Sequence, residues 1–119
     1  MGDELNLMEE TRNGVTIVHV ETPWLLDPKV SDMLTYRLCS MLESGTDILV
    51  IDLGSVSRLT SIFFRSFIIA GKEAKKRKAR MAFCGVSPVI KQGFEIAGLD
   101  KLFPLFDTEQ KAIKELGTD

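Results

Sequence analysis

The feature that most limits the possible folds is a continuous apolar run, ILVIDL, at residues 48–53. Only Asp52 interrupts it, and a strand with so little polarity is typical of a sheet covered on both faces. An apolar helical pattern follows over about residues 61–78, and a second apolar run, RMAFC, occupies residues 80–84. A strand, a helix and a second strand of this kind form a crossover that joins parallel strands. The sequence therefore predicts an α/β fold around a central parallel strand.

Turn and capping signals place the remaining segments around this unit. Asn13-Gly14 predicts a hairpin between strands near residues 5–10 and 15–20. An N-cap residue precedes an apolar helical pattern in three further places, which predicts helices from Asp27-Pro28 to Gly45, from Ser87-Pro88 to Gly98, and after Thr108. The apolar run at residues 102–106 contains Pro104 and is therefore placed at a sheet edge.

These elements predict a mixed, mainly parallel sheet of about five strands with about four helices. With 119 residues, the chain is expected to form one domain over residues 1–119, of which about 4–116 are ordered.

The 15 lysines and arginines against 17 acidic residues give a net charge of −2, which argues against a dedicated nucleic-acid binder. No apolar run approaches the roughly 20 residues of a membrane span, and no signal peptide is evident, so a cytoplasmic protein without a membrane partner is expected.

The sequence offers little for catalysis or metal binding. The one histidine, His19, lies in a strand-like run and is predicted on a strand face, far from the carboxyl ends of the strands. A lone histidine does not supply a metal cluster or a hydrolytic dyad, and there is no glycine-rich phosphate loop. We therefore expect no enzyme, no metal site and no cofactor.

A cluster of cations closes the central helix and enters the next strand. Its members are Lys72, Lys75, Lys76, Arg77, Lys78 and Arg80. Cations near a helix C-terminus are favourable because they complement the helix dipole, so a solvated cluster is the main interpretation. Nucleic-acid binding is the lesser one, since no aromatic residues interleave the run.

Three transitions from loop to helix carry polar side chains that could form a site. They are Asp27, the pair Thr60-Ser61, and Ser87. Because ligands collect outside the carboxyl ends of parallel strands, these residues are expected at one edge of the molecule. A hydroxyl at a helix N-terminus also suits an attached phosphate. The competing interpretation is that Thr60 and Ser61 are simply caps.

Two long stretches resemble the STAS domain of bacterial anti-sigma-factor antagonists. They are VIDLGSVSRLTS at residues 50–61 and KARMAFCGVSPVIKQGFEIAGLDKLFPLF at residues 78–106. In that family a strand ending in Asp-Leu precedes a D-S-S-G-L or D-S-T-G-L phosphorylation motif and a helix, and the next strand precedes G-x-S-P and G-L-x-K-x-F. The matching residues are Asp52-Leu53, Gly85, Ser87-Pro88 and Gly98 to Phe103, and Gly14-Val15-Thr16 and Leu26-Asp27 match the opening of the family. The resemblance thus covers nearly the whole chain.

The phosphorylation motif itself is degenerate in this chain. The resemblance places the acceptor at Ser61, the family's acid at Thr60, its second hydroxyl at Ile62, and its glycine and leucine at Phe63 and Phe64. Only the acceptor serine is kept. Because Phe63 and Phe64 are adjacent on a helix, one is expected buried and the other partly exposed.

The resemblance implies a protein-interaction switch rather than an enzyme. Such a protein binds an anti-sigma factor with serine kinase activity, and phosphorylation of Ser61 would break the binding through its added charge. The implied binding residues are Asp27, Thr60, Ile62, Phe63, Phe64 and Ser87. Two alternatives stay open: an unphosphorylated scaffold that assembles with other STAS proteins in a stress-sensing particle, and a small-ligand binder, for nucleotides in particular. Trp24 is equally suited to a contact surface and to packing over the sheet.

Overall fold

The computed structural model describes residues 4–117, which form seven strands and five helices. In chain order they are β1 (Leu7–Arg12), β2 (Val15–Val20), β3 (Trp24–Leu25), α1 (Pro28–Glu43), β4 (Ile48–Asp52), β5 (Arg58–Leu59), α2 (Ile62–Lys76), β6 (Arg80–Cys84), α3 (Pro88–Ala97), α4 (Leu99–Leu102), β7 (Leu105–Phe106) and α5 (Glu109–Leu116). Among the described residues, no helix has both the length and the apolar character needed to cross a membrane.

Five of the strands form the main sheet, in the order β1-β2-β4-β6-β7. β4 lies at the centre and pairs in parallel with β2 and β6, and β7 extends the parallel set at one edge. β1 is antiparallel to β2 and forms the other edge, where Glu9, Glu10 and Arg12 are among its residues. The predicted α/β fold with a mixed, mainly parallel five-stranded sheet is confirmed.

The apolar run in β4 is explained by helices on both faces of the sheet. Leu49 and Ile51 are fully buried in a large core that includes residues of α1, α2, α3 and α4. Ile48 and Val50 alternate with them and pack in a smaller core against α5. Burying each such side chain contributes about 1.5–3 kcal/mol, so the central strand cannot tolerate a polar face.

The hairpin between β1 and β2 forms at the predicted dipeptide. Asn13 has φ 52° and Gly14 has φ 79°, so both turn residues are in the left-handed region that a two-residue type I′ turn requires. β1 spans residues 7–12 rather than 5–10, because the register with β2 runs up to the turn, where Arg12 faces Val15.

Three short elements were not predicted. β3 and β5 pair in parallel as a separate two-stranded sheet, in segments expected to be loop. α4 follows directly after Gly98, whose φ of 79° ends α3. The predicted edge strand at residues 102–106 is reduced to β7, which begins after Pro104. Elements of two to four residues are too short to leave a periodic pattern in the sequence.

Four aromatic rings fill the larger core near the β7 edge. Phe83 makes edge-to-face contacts with Phe67, Phe94 and Phe103 at centroid distances of 4.8, 5.0 and 5.3 Å. Gly71 in α2 allows this packing, because a Cβ atom there would lie 2.5 Å from the Phe103 ring.

Replacing Gly71 with alanine is expected to destabilise the fold. Helix propensity alone would favour alanine by about 1 kcal/mol. The clash with Phe103 is of the overpacking kind that costs about 1–3 kcal/mol. Urea unfolding should therefore show a lower free energy of unfolding for Gly71→Ala. The loss should shrink in a Phe103→Leu background, and a Gly71→Ala variant more stable than wild type would contradict this account of the packing.

Candidate functional site

The Asp52 carboxylate organises the loops at the carboxyl ends of the parallel strands. Its Oδ1 atom accepts a hydrogen bond from the Gly54 N–H at 2.8 Å, which sets the turn after β4. Its Oδ2 atom lies 2.6 Å from Nδ1 of His19 on β2. In addition, the Leu53 N–H donates to the Cys84 carbonyl of β6 at 3.0 Å. These bonds fix three neighbouring strand ends relative to each other.

The prediction that His19 lies far from the carboxyl ends is wrong. His19 is the next-to-last residue of β2 and stands directly opposite Asp52, the last residue of β4. The parallel register of β2 and β4 determines this pairing. The residues around His19 in the sequence do not predict that register.

A carboxylate cluster surrounds this histidine, which the sequence did not indicate. Nε2 of His19 lies 2.9 Å from Glu10 and 3.9 Å from Glu109, and the three residues offer ligand atoms within 4.8 Å of one another. Such spacing would accommodate a metal ion. However, the Arg12 guanidinium already bridges Glu10 and Glu109, so the two carboxylates have a cation within the fold. We therefore treat the cluster as a structural ion-pair network.

The network changes how its members titrate. Burial disfavours the charged form of His19, but hydrogen bonds to Glu10 and Asp52, together with the nearby negative charges, outweigh it and raise the pKa of His19 above 6.5. The same hydrogen bond from His19 lowers the pKa of Glu10. The protonated imidazole is thus favoured in the folded chain.

The small β3–β5 sheet connects the loop after β4 to the loop before α1. The Ser57 N–H donates to the Pro23 carbonyl at 2.8 Å, and the Thr60 N–H donates to the Leu25 carbonyl at 3.0 Å. Because Asp27 follows β3 and Ser61 follows β5, this sheet holds the starts of α1 and α2 at one end of the molecule.

An apolar groove of about 320 Å³ joins the three predicted helix starts. We call it the Ser61 groove, and its main lining residues are Leu26, Arg58, Leu59, Phe64, Val89 and Ile90. Leu26 is next to Asp27, Leu59 is two residues before Ser61, and Val89 is two residues after Ser87. Asp27, Ser61 and Ser87 do not line the groove themselves, but each lies within two residues of one that does.

The three predicted caps differ in what their side chains do. Asp27 accepts a hydrogen bond from the Lys29 N–H at 2.9 Å, and Ser87 accepts one from the Ile90 N–H at 3.4 Å, as predicted. Ser61 occupies the N-cap position of α2 but makes no capping hydrogen bond with its side chain. Since Ser61 is also exposed, its hydroxyl is available for other chemistry.

The predicted binding residues after Ser61 separate into surface and core. Thr60 is exposed, and Ile62 and Phe64 are half-buried. Phe63 is 0% exposed and belongs to the core, so its predicted place in a binding surface is wrong. Phe64 is the partly exposed ring of the pair and packs edge-on against Phe94 at 5.3 Å.

Apolar residues that the sequence did not assign to the site complete this surface. Trp24, whose role the sequence left open, is 60% exposed, Val89 is 76% exposed and Leu26 is 41% exposed. A large apolar side chain usually indicates core packing, so nothing in the sequence indicated that Leu26 and Val89 face solvent. Leu26 and Val89 line the Ser61 groove, and Trp24 is the strand partner of Arg58, which also lines it. Exposed apolar residues close to one another are typical of a contact surface.

Comparisons with known proteins agree on one family. The model of the STAS domain family matches residues 6–112. The anti-sigma F factor antagonist of Paenibacillus polymyxa is 26% identical over 113 residues, which cover 94% of this chain and 95% of that protein. Anti-sigma factor antagonists are non-enzymatic regulators of transcription.

Solved structures of the same fold include anti-sigma factor antagonists. An anti-sigma factor antagonist from Mycobacterium paratuberculosis has a TM-score of 0.84 and 23% identity, covering 98% of this chain and 97% of that one. The phosphorylated form of the Bacillus cell fate determinant SpoIIAA has a TM-score of 0.73 and 14% identity, covering 93% of this chain and 99% of that one.

Alanine substitutions should show that the Asp27 side chain stabilises its helix as a cap and that the Ser61 side chain does not. Asp27→Ala is expected to lower the free energy of unfolding by about 1 kcal/mol, because it removes a capping hydrogen bond. Ser61→Ala is expected to cost less than about 0.5 kcal/mol, as for an ordinary surface position. Urea unfolding of the two variants tests this. Equal losses would show that the Ser61 hydroxyl is a cap after all.

The His19 network predicts a pH-dependent stability. A raised folded-state pKa stabilises the fold fully below the unfolded value of about 6.5, and this contribution is lost as the pH rises through the folded-state pKa. The free energy of unfolding should therefore fall as the pH rises above about 6.5. His19→Gln should flatten this change, since the chain has no other histidine. An unchanged slope in urea unfolding experiments would rule out the network as its source.

Proposed function

The chain belongs to the STAS domain family, and we propose that it is an anti-sigma factor antagonist whose Ser61 groove binds an anti-sigma factor with serine kinase activity. Phosphorylation of Ser61 by that partner then weakens the binding and returns the anti-sigma factor to its sigma factor. The observation that carries this proposal is an exposed serine hydroxyl, unused by capping, beside an exposed apolar surface.

The position of Ser61 favours a phosphate on this residue. It lies at the N-terminus of the 15-residue helix α2, where unpaired N–H groups and the positive end of the helix dipole stabilise an anion. The first turn of α2 carries no acidic residue. Arg65 is exposed and lies four residues after Ser61, on the same side of the helix. A phosphorylated Ser61 would therefore be stable in the free protein.

The same phosphate is unfavourable in a complex. It adds a charge of about −1.5 to −2 next to the Ser61 groove, whose partner would have to bury apolar surface there. Removing such a charge from water is costly unless the partner supplies matching cations. Trp24, which is 60% exposed, is of a residue type that often dominates the binding energy at interfaces. One modification can thus control an interface built mainly from apolar contacts.

A sequence relative and a solved structure of the same fold both support this proposal. The curated relative from Paenibacillus polymyxa is itself an antagonist of an anti-sigma factor. A protein of the same fold, SpoIIAA, exists in a phosphorylated form. Both statements concern those proteins, and their transfer to this chain rests on the shared fold and on the exposed Ser61.

A second candidate is a scaffold that is never phosphorylated. Trp24, Leu26 and Val89 would also suit a permanent contact with other STAS proteins, and Ile62 and Phe64 are bulkier than the residues that the resemblance places there. The nucleotide-binding alternative has less support, because the groove is apolar apart from Ser57 and Arg58.

Replacing Ser61 with glutamate is expected to weaken binding to the anti-sigma factor at least tenfold, which corresponds to about 1.4 kcal/mol. The measurement is isothermal titration calorimetry with an anti-sigma factor identified by pull-down from the native host. Ser44→Glu is the matched control, because Ser44 is exposed and lies at the opposite end of α1 from Asp27. Ser61→Ala should bind like wild type but should not accept phosphate from ATP in the presence of the partner.

Two outcomes would argue against the switch. If Ser61→Glu and wild type have the same dissociation constant, a charge at this position does not control the interface. If the pull-down returns other STAS proteins with both variants, and light scattering shows a large discrete particle, the scaffold function replaces the switch.

A further inference from the structure

The three helices that start around the Ser61 groove carry cations where the helix dipole disfavours them. The first four residues of α1, α2 and α3 include one cation each, Lys29, Arg65 and Lys91, and no acid. The N-terminus of a helix carries a partial positive charge, so an acid is favourable in the first turn and a cation is not. α5, on the other face of the sheet, follows this rule with Glu109 at its first position. The helix dipole therefore does not account for the three cations.

A fourth cation lines the Ser61 groove itself. Arg58 is exposed and is the one charged residue among the described residues that line the groove. Each of the other three cations is exposed and lies within three residues of a lining residue. At 0.1 M salt a charge acts over about 10 Å, so all of them contribute to the electrostatic potential at the groove. We call these four residues the cationic rim: Lys29, Arg58, Arg65 and Lys91.

The cationic rim has no partner of opposite charge within the fold. Among the described residues, no acid forms an ion pair with any of its four members. Other arginines of this chain, Arg12, Arg37 and Arg77, do pair with glutamates. The rim and Asp27, the N-cap of α1, together carry a net charge of +3, whereas the whole chain carries −2. The positive charge at the Ser61 groove is thus left free to meet a partner.

We infer, on the basis of the proposed function, that the part of the anti-sigma factor that enters the Ser61 groove is apolar and is flanked by acidic residues that pair with the cationic rim. The proposed function makes the occupant a protein, and the lining of the groove gives its chemistry. Leu26, Leu59 and Val89 offer an apolar contact. The surrounding cations attract carboxylates, which speeds association with an acidic surface and rejects a basic one.

The charge of the cationic rim also explains how one phosphate can control the binding. A phosphate on Ser61 adds about −1.5 to −2, which cancels at least half of the net charge at the groove. Arg65, on the same side of α2, would then pair with the phosphate rather than with the anti-sigma factor. The phosphate therefore competes with the carboxylates of the partner for the same cations.

The test measures the association rate constant of the whole chain with the anti-sigma factor captured by pull-down, using surface plasmon resonance at 50 mM and 500 mM salt. For wild type the rate constant should fall about tenfold at the higher salt, as for surfaces of opposite charge. Lys29→Glu/Lys91→Glu should associate at least tenfold more slowly at low salt. This double variant leaves α2 unchanged, so it does not alter the helix that carries Ser61.

Stability and a matched control separate a lost contact from a damaged fold. Lys29→Glu/Lys91→Glu should unfold at the same or a higher urea concentration than wild type, because it places acids at helix N-termini. Lys75→Glu/Lys101→Glu makes the same charge change at exposed lysines near the other end of α2 and in α4. Its association rate constant should stay within about twofold of wild type, and circular dichroism verifies that it is folded.

A charge exchange identifies the acids of the partner. Arg58→Glu should slow association with the unchanged anti-sigma factor. Changing one acidic residue of the contact region of the anti-sigma factor to lysine should restore it. Failure of every such acid to restore association would overturn the inference.

Other results would also overturn it, and they differ from a failure of the proposed function. If the two double variants associate equally fast while Ser61→Glu still weakens the binding, the inference is wrong and the proposed function stands. A wild-type rate constant that rises with salt would show that the partner surface is cationic. Displacement of the anti-sigma factor by a lower concentration of a single-stranded oligonucleotide would make the rim a nucleic-acid site. If the pull-down captures no anti-sigma factor, the proposed function fails and the inference fails with it.

Discussion

The carboxylate of Asp52 is the interaction on which the functional end of this molecule depends. One oxygen shapes the turn after β4 and the other binds His19, so a single side chain ties two strand ends together. Gly85 completes the arrangement, because a Cβ atom there would lie 2.8 Å from the same carboxylate. The turn directs the chain into β5 and from there to Ser61. The acid is therefore a structural requirement for presenting the serine, although it is not part of the surface.

Helix α2 has a dipole that acts differently at its two ends. Its N-terminus presents Ser61, where the helix dipole favours a negative group, and its C-terminal turns present Lys72 and Lys75, where the dipole favours cations. One rigid element thus separates a site suited to carrying an anion from a cationic helix end. The buried face of the same helix, with Phe63 and Phe67, holds both in fixed positions.

The sequence predicts those parts of the fold that depend on local chemistry. Apolar runs, caps and the hairpin dipeptide are read directly, and Asp27 and Ser87 do cap their helices. The ion pairs of His19 depend on strand register, which no local pattern specifies. Helical periodicity likewise predicts that Phe63 and Phe64 differ in exposure, but only tertiary packing decides which one is buried. Trp24 was left open and Val89 was missed as a surface residue for the same reason, since hydrophobicity alone does not distinguish a core from a contact surface.

The charged residues of the antiparallel edge strand β1 affect how two copies of this chain could associate. A second copy that added to β1 in a symmetric antiparallel register would place Glu9 of one molecule opposite Glu10 of the other. Like charges directly opposite each other destabilise a strand pair. Ion pairs with Arg37 and Arg12 already hold these two glutamates within their own chain. Pairing of two copies through this edge is therefore disfavoured in the symmetric register.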